Sequence, residues 1–247
     1  MVFTFLRHGS NVWLALLLAA LIVCFAAGVL AFSLLWAAVG ALSFYTSEYG
    51  FHRFGFHAEP SRFAFVRKLQ HRLHYDHHAA PDRLDLLFLP VWFLVPNLAL
   101  TALIFALLFG WNVVASAMLG VTLAIFHYEW VHYVAHIPYQ PHTAIGRWIK
   151  QYHLRHHYIS EKFWFGVSNP SMDFASAAAR RASFTARRVL SSRREKSHRY
   201  PPGALTFIVF FVLMRLVSPL AGLAAAFWFT QWYPALVQLR AGLAGTL

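Results

Sequence analysis

Residues 120–136 read GVTLAIFHYEWVHYVAH. The stretch begins as an apolar helix of membrane character and ends on His132 and His136. At i, i+4 spacing the two imidazoles share one helix face. Three more clusters repeat the pattern of histidines beside a long apolar run: His52-Arg-Phe-Gly-Phe-His57, His74-Tyr-Asp-His77-His78 and His153-Leu-Arg-His156-His157. Imidazole is a good ligand for zinc, iron, copper and nickel. The ten imidazoles of these clusters are too many for one ion. They suit two ions with roughly four or five nitrogens each.

The apolar runs around the clusters set the class. The chain has 247 residues, of which 59% are hydrophobic and 12% charged, and its mean hydropathy is +0.50. Soluble domains carry roughly 25% charged residues, so a membrane protein is expected. No Asp, Glu, Lys or Arg lies between Arg7 and Glu48, or between Asp85 and Glu129. Each gap is about twice the roughly 20 residues of one transmembrane helix. Each reads as a hairpin of two spans, with Gly28 and the Gly110-Trp111-Asn112 stretch as the bends. The first run is too long for a signal-peptide core and meets no small-residue cleavage site before a polar region, so it reads as a retained anchor. The expected architecture is all-α: four core transmembrane helices in two hairpins, under a cytosolic helical cap that holds the histidines.

The net charge of +12 is concentrated in two segments, with six Lys/Arg in residues 52–83 and twelve in residues 137–202. The positive-inside rule puts both in the cytoplasm, and two spans followed by two more return the chain to that side each time. Anionic lipid headgroups account for this basicity, so no nucleic-acid partner is expected. Cys24, the single cysteine, excludes an internal disulfide and a thiolate metal site. Residues 1–179 read as a membrane-embedded domain, 180–202 as a basic linker, and 203–247 as an apolar membrane-associated segment interrupted by Arg215.

Local spacing supports the metal reading. His74, His77 and His78 stand at i, i+3 and i+4, as do His153, His156 and His157, so each trio can present its imidazoles to one side. His52 and His57 stand at i, i+5, about 140° apart on a regular helix. They converge only if the helix ends or bends between them, and Gly55 offers a place. His71 reads as a surface or supporting residue, His127 as a cavity-lining one, His142 as an added imidazole beside the ligands, and His8 and His198 as solvated.

At these residues the chain resembles the fatty acid hydroxylase/sterol desaturase superfamily of histidine-box membrane oxygenases, and within it the catalytic domain of fatty acid 2-hydroxylases. The matching stretches are HRFGFH, HYDHHAAPD, YEWVHYVAH, YHLRHH and WFGVSNPSMD, across about residues 45 to 175. The resemblance implies two metal ions in a cytosol-facing cap. The ligands would be His52, His57, His74, His77, His78, His132, His136, His153, His156 and His157. It also implies that Asp173 and Glu129 orient imidazoles by accepting an N–H, and that Tyr133 lines the site. Eukaryotic 2-hydroxylases carry an N-terminal cytochrome b5 domain, for which this chain has no room before its first span. Electrons are therefore expected from a separate ferredoxin or cytochrome b5-like carrier with its reductase, drawn to the basic face.

The expected function is O2-dependent hydroxylation of a lipid acyl chain at an aliphatic C–H. An unactivated C–H needs a redox metal, so iron is expected for activity. Zinc has no redox chemistry and would be a substitute in purified protein. A desaturase, a sterol or carotenoid oxygenase and a polar-lipid hydroxylase would share the same site. A divalent-metal transporter is the reading from another class, but transport favours ligands near the bilayer midplane, and these lie at span ends. A chain without a cytochrome b5 domain fits a bacterial inner membrane, with the endoplasmic reticulum as the alternative.

Overall fold

The computed structural model describes residues 1–175 and 215–224. These residues are helical throughout their regular structure, with no strand among them. The basic linker 180–202 and most of the C-terminal segment lie outside the described residues, and so does His198.

Helix α1 (Val2–Arg7) leads into α2 (Gly9–Ala26). The chain turns at Gly28, whose φ of +70° suits glycine, and returns as α3 (Leu34–Gly50). A π-helical turn, Phe51–Phe56, extends α3. Then come α4 (Ala64–Gln70), a second π-helical turn (His71–Tyr75), α5 (Asp76–Ala79) and α6 (Leu84–Leu87). The second hairpin is α7 (Val91–Phe109) and α8 (Val114–His136), joined through Gly110 at φ +91° and a short 3₁₀ turn. Helix α9 (Ala144–Tyr158) and α10 (Ser171–Ala175) follow, and residues 215–224 form α11.

Among the described residues, three helical stretches are long and apolar enough to cross a membrane: Gly9–Ala26, Leu84–Phe109 and Trp111–His136. Helix α3, the remaining member of the two expected hairpins, is 17 residues long and carries Glu48 near its end. Leu14, Leu94, Leu98, Met118, Val121 and Ile125 form the core between α2, α7 and α8. Val39, Phe105, Val113 and Ala117 form that between α3, α7 and α8. Leu16, Val23, Leu34 and Leu107 are each more than 60% exposed, an outward apolar surface of the kind lipid covers.

Helix α8 is the central element, and small residues let α3 approach it. A Cβ on Gly40 would lie 2.0 Å from the Ala117 carbonyl oxygen, and one on Gly120 would lie 1.8 Å from that of Ala37. This reciprocal Gly/Ala contact is the close backbone packing on which membrane helices rely. It sets the relative height of α3 and α8, which carry His52 at one end and His132 and His136 at the corresponding end.

Helix α9 is fixed across that end. Thr143 caps its N-terminus by accepting from the Gly146 N–H at 3.0 Å. Lys150 donates to the carbonyls of Val134, Ile137 and Tyr139 at 2.9, 2.7 and 2.8 Å. A cation satisfying the last carbonyls of α8 is favoured by the helix dipole, and it locks α9 onto α8.

Substituting Gly120→Val should push α3 from α8 and destabilise the fold by about 1–3 kcal/mol, the usual cost of overpacking. Thermal unfolding in detergent reads this. An unchanged midpoint would show that the Gly/Ala contact does not hold the bundle.

Candidate metal centre

The ten histidines gather into two groups of five. One holds His52, His57, His74, His78 and His156, and the other holds His77, His132, His136, His153 and His157. Within each group the candidate nitrogens lie within 4.8 Å of one another.

The π-helical turn solves the i, i+5 problem. The His57 N–H donates to the His52 carbonyl at 3.2 Å, the i→i+5 bond of a π-helix, which brings residues five apart onto one side. The helix neither ends nor kinks at Gly55; it widens. The two trios behave differently from the expectation of one shared face. In each, the i, i+4 pair joins one group and the i+3 residue joins the other. His74 and His78 part from His77, and His153 and His157 part from His156. A single helix thereby serves both groups, and the rings of His78 and His157 stack across the boundary at 4.1 Å.

The nitrogens are arranged for lone-pair donation. Nε2 of His57 lies 2.7 Å from that of His74 and 2.8 Å from that of His156. Nε2 of His153 lies 3.0 Å from that of His136 and 3.1 Å from that of His157. Nε2 atoms of His77 and His132 lie 3.0 Å apart. One N–H cannot serve two such neighbours. Moreover, His156 places its proton on Nδ1, donating to the Phe163 carbonyl at 2.7 Å, and His52 donates from Nδ1 to the Phe165 carbonyl. Both Nε2 atoms are therefore bare lone pairs, and that of His52 is buried without a hydrogen-bond partner. With metal–nitrogen bonds of about 2.0–2.1 Å, neighbouring ligand nitrogens on one ion sit about 2.9–3.4 Å apart. The donor set fits a metal ion in each group.

Electrostatics agree. Burial, opposed only in part by the Phe165 bond, pushes His52 down to about 3, and burial followed by neighbouring imidazoles pushes His77 down to about 2. Burial first, then nearby imidazoles, holds His57, His74 and His153 well below the ordinary 6.5. Neutral imidazoles are the form that ligates.

The buttress of the first group comes from residues 161–168. Glu161 places Oε1 3.3 Å from Nδ1 of His78. Trp164 adopts a left-handed φ of +61°, unusual for a bulky residue. Its strain is matched by a gain, because the carbonyls on either side of it, of Phe163 and Phe165, each accept an imidazole proton. Asp173 was expected to accept from an imidazole. Instead Oδ2 accepts the Gly166 N–H at 2.7 Å, so it holds the turn that holds His52. A Cβ on Gly166 would lie 2.5 Å from the Asn169 carbonyl oxygen, which explains the glycine. Glu48 accepts from the Ser168 N–H at 3.0 Å and from its hydroxyl.

Several expected residues lie elsewhere. Glu129 is buried and accepts the Leu89 N–H at 3.0 Å, tying the start of the second hairpin to α8. Tyr133 packs against Phe5 and Phe88 and donates to the Met1 carbonyl at 3.2 Å. His142 is exposed, with its ring beside Tyr139. His127 is exposed and meets the Tyr45 hydroxyl at 3.0 Å. His71 is a surface partner of Asp76 at 2.9 Å. Glu48, Glu161 and the 163/165 carbonyls went unnoticed in the sequence. The available signal for Glu48 was a lone carboxylate closing an uncharged run.

A model of the fatty acid hydroxylase family matches residues 37–176. Human fatty acid 2-hydroxylase is 31% identical over 138 residues, covering 51% of this chain and 34% of that protein. The ceramide very long chain fatty acid hydroxylase SCS7 of Saccharomyces cerevisiae is 33% identical over 137 residues, covering 53% and 34%. A solved structure of full-length scs7p, with only its hydroxylase domain visible, superposes with a TM-score of 0.56 at 26% identity, covering 68% of this chain and 63% of that one. The matched region thus spans about a third of the length of the human and yeast proteins.

Two predictions follow from the geometry. Proline cannot adopt Trp164's φ, so Trp164→Pro should lower bound metal per chain, whereas Trp164→Gly should retain it; elemental analysis of purified protein reads both. Lowered histidine pKa values mean that the unfolded chain binds more protons below about 6.5. The metal-free fold should therefore lose stability progressively as pH falls from 6.5, with no such loss between 7 and 8; denaturant titration across pH would reveal a flat profile if the imidazoles were not buried.

Proposed function

The chain belongs to the fatty acid hydroxylase family, and we propose that it hydroxylates a lipid acyl chain at an aliphatic C–H with O2, using two metal ions held by the ten clustered histidines. The observation that carries this reading is the pair of five-imidazole groups with bare, converging Nε2 lone pairs. Iron bound there would supply the redox chemistry that an unactivated C–H requires and that zinc lacks.

The chain's own residues do the rest. His52 and His156 are fixed in tautomer by the carbonyls of Phe165 and Phe163, and such outer partners set ligand orientation and basicity. The Glu161 carboxylate stands beside His78 at 3.3 Å, and Asp173 acts through the Gly166 turn. One oxygen atom enters the C–H bond and the other leaves as water. The electron pair comes from a carrier of ferredoxin or cytochrome b5 type, attracted by the basic surface, and the two protons of the water come from solvent. Residues 1–179 form the catalytic unit, with α2, α3, α7 and α8 as four spans. The basic segments support a metal centre on the cytoplasmic side of the membrane.

Comparative lipid mass spectrometry of cells with and without the protein, with metal analysis of the purified chain, tests the proposal. A lipid gaining one oxygen is expected, while loss of two hydrogens would make the enzyme a desaturase. His77→Ala and His156→Ala should each abolish the product and lower metal content, and His142→Ala should change neither. Full activity in His77→Ala or His156→Ala would remove that residue from the ligand set.

A further inference from the structure

Glu161 stands at the rim of the histidine cluster, just beyond the end of α9. Its side chain is 57% exposed, and that of His78 beside it is 8% exposed. Oε1 of Glu161 lies 3.3 Å from Nδ1 of His78, longer than the roughly 2.7–2.9 Å of a charge-assisted hydrogen bond. Both ring nitrogens of His78 are buried without a hydrogen-bond partner. The pair joins a carboxylate open to solvent with an imidazole that is buried and unsatisfied. Two other carboxylates at this end, Glu48 and Asp173, are buried and accept from Ser168 and from the Gly166 N–H.

The separation suits shared ligation. With metal–nitrogen bonds of about 2.0–2.1 Å and metal–oxygen bonds of about 2.0–2.2 Å, two ligand atoms on one ion sit about 2.9–3.5 Å apart. His78 also stands where the two histidine groups meet. Its ring lies 4.4 Å from that of His74 in the first group and stacks at 4.1 Å on that of His157 in the second. A ligand exchange at His78 therefore reaches either group. The chain as a whole opposes the approach of a dication, with 21 Lys/Arg against nine Asp/Glu. An exposed carboxylate beside the cluster supplies the local attraction that overcomes this.

We propose that Glu161 and His78 form an entry site that captures a divalent transition-metal ion from solution and passes it to the buried imidazoles. Glu161 lends Oε1 and His78 lends Nδ1 to the arriving ion, with water filling the remaining positions. Glu161 then lets go as an inner imidazole nitrogen takes its place. One metal–oxygen bond breaks, one metal–nitrogen bond forms, and no electron moves. Two protein ligands hold an ion weakly enough to release it inward, as a transfer site requires. The inference rests on the reading of the ten histidines as the seat of two metal ions and adds the route by which ions reach them.

Exchange of bound zinc for isotope-labelled zinc in the zinc-loaded full chain tests it, with affinity read separately by chelator competition. Glu161→Gln keeps the size of the side chain and removes its charge, at an exposed position that tolerates the change. It should slow exchange about tenfold or more, with two zinc ions per chain and their affinity unchanged, because an entry site alters uptake and release by one factor. Glu161→Asp should exchange faster than Glu161→Gln. Asp85→Asn makes the same charge change at a surface ion pair with Arg83 and should match the wild type. Unchanged exchange in Glu161→Gln would overturn the proposal, as would equal slowing in Asp85→Asn. So would faster exchange with weakened affinity, the signature of a carboxylate that only supports a ligand. Each of these results leaves the two-metal centre standing. A wild-type chain that holds no zinc would sink the centre and the entry site together.

Discussion

Ten imidazoles cannot be buried at one end of a helical bundle unless something accepts their lone pairs. A buried polar nitrogen without a partner costs free energy, of order 1–3 kcal/mol, and here many such nitrogens point at two common centres rather than at donors. Every other feature of this end of the molecule follows from that constraint. The π-helical turn swings His57 onto the side of His52. The trios divide so that each helix serves both groups. Residues 163–165 supply acceptors for imidazole protons, which keeps the inward nitrogens bare.

That end is held in place by contacts far from it. Gly40 and Gly120 let α3 and α8 meet backbone to backbone, so the histidines at their ends arrive at matching heights. Lys150 fastens α9 to the last carbonyls of α8. Gln70 accepts the Ser61 N–H and donates toward the Gly55 and Glu59 carbonyls, holding the segment between His57 and His71. Rigid supports of this kind are what a site demanding sub-ångström placement requires.

Much was legible in the chain before folding. Uncharged runs gave the helical hairpins, and positive-φ glycines lie where bends were expected, at Gly28 and Gly110. Histidine spacing identified all ten residues that the fold gathers. The supporting groups were harder to read. Asp173 acts one peptide removed from its histidine, and Tyr133 and His142 face away from both groups. Main-chain carbonyls such as those of Phe163 and Phe165 have no sequence signature. Glu161 reads in the sequence like any other surface carboxylate.

By itself, the sequence determined composition-level and period-level properties: helices, their membrane character, and which side chains could ligate a metal. These depend on local spacing and on transfer from water, both of which are written along the chain. The tertiary structure decided how the ten histidines partition into two groups, which carbonyls fix their tautomers, and which carboxylate stands against His78. Those are matters of convergence between segments up to more than a hundred residues apart, such as Glu48 with Ser168 and Asn97 with Arg215. Their pairing is set by helix packing in three dimensions, which no one-dimensional period encodes.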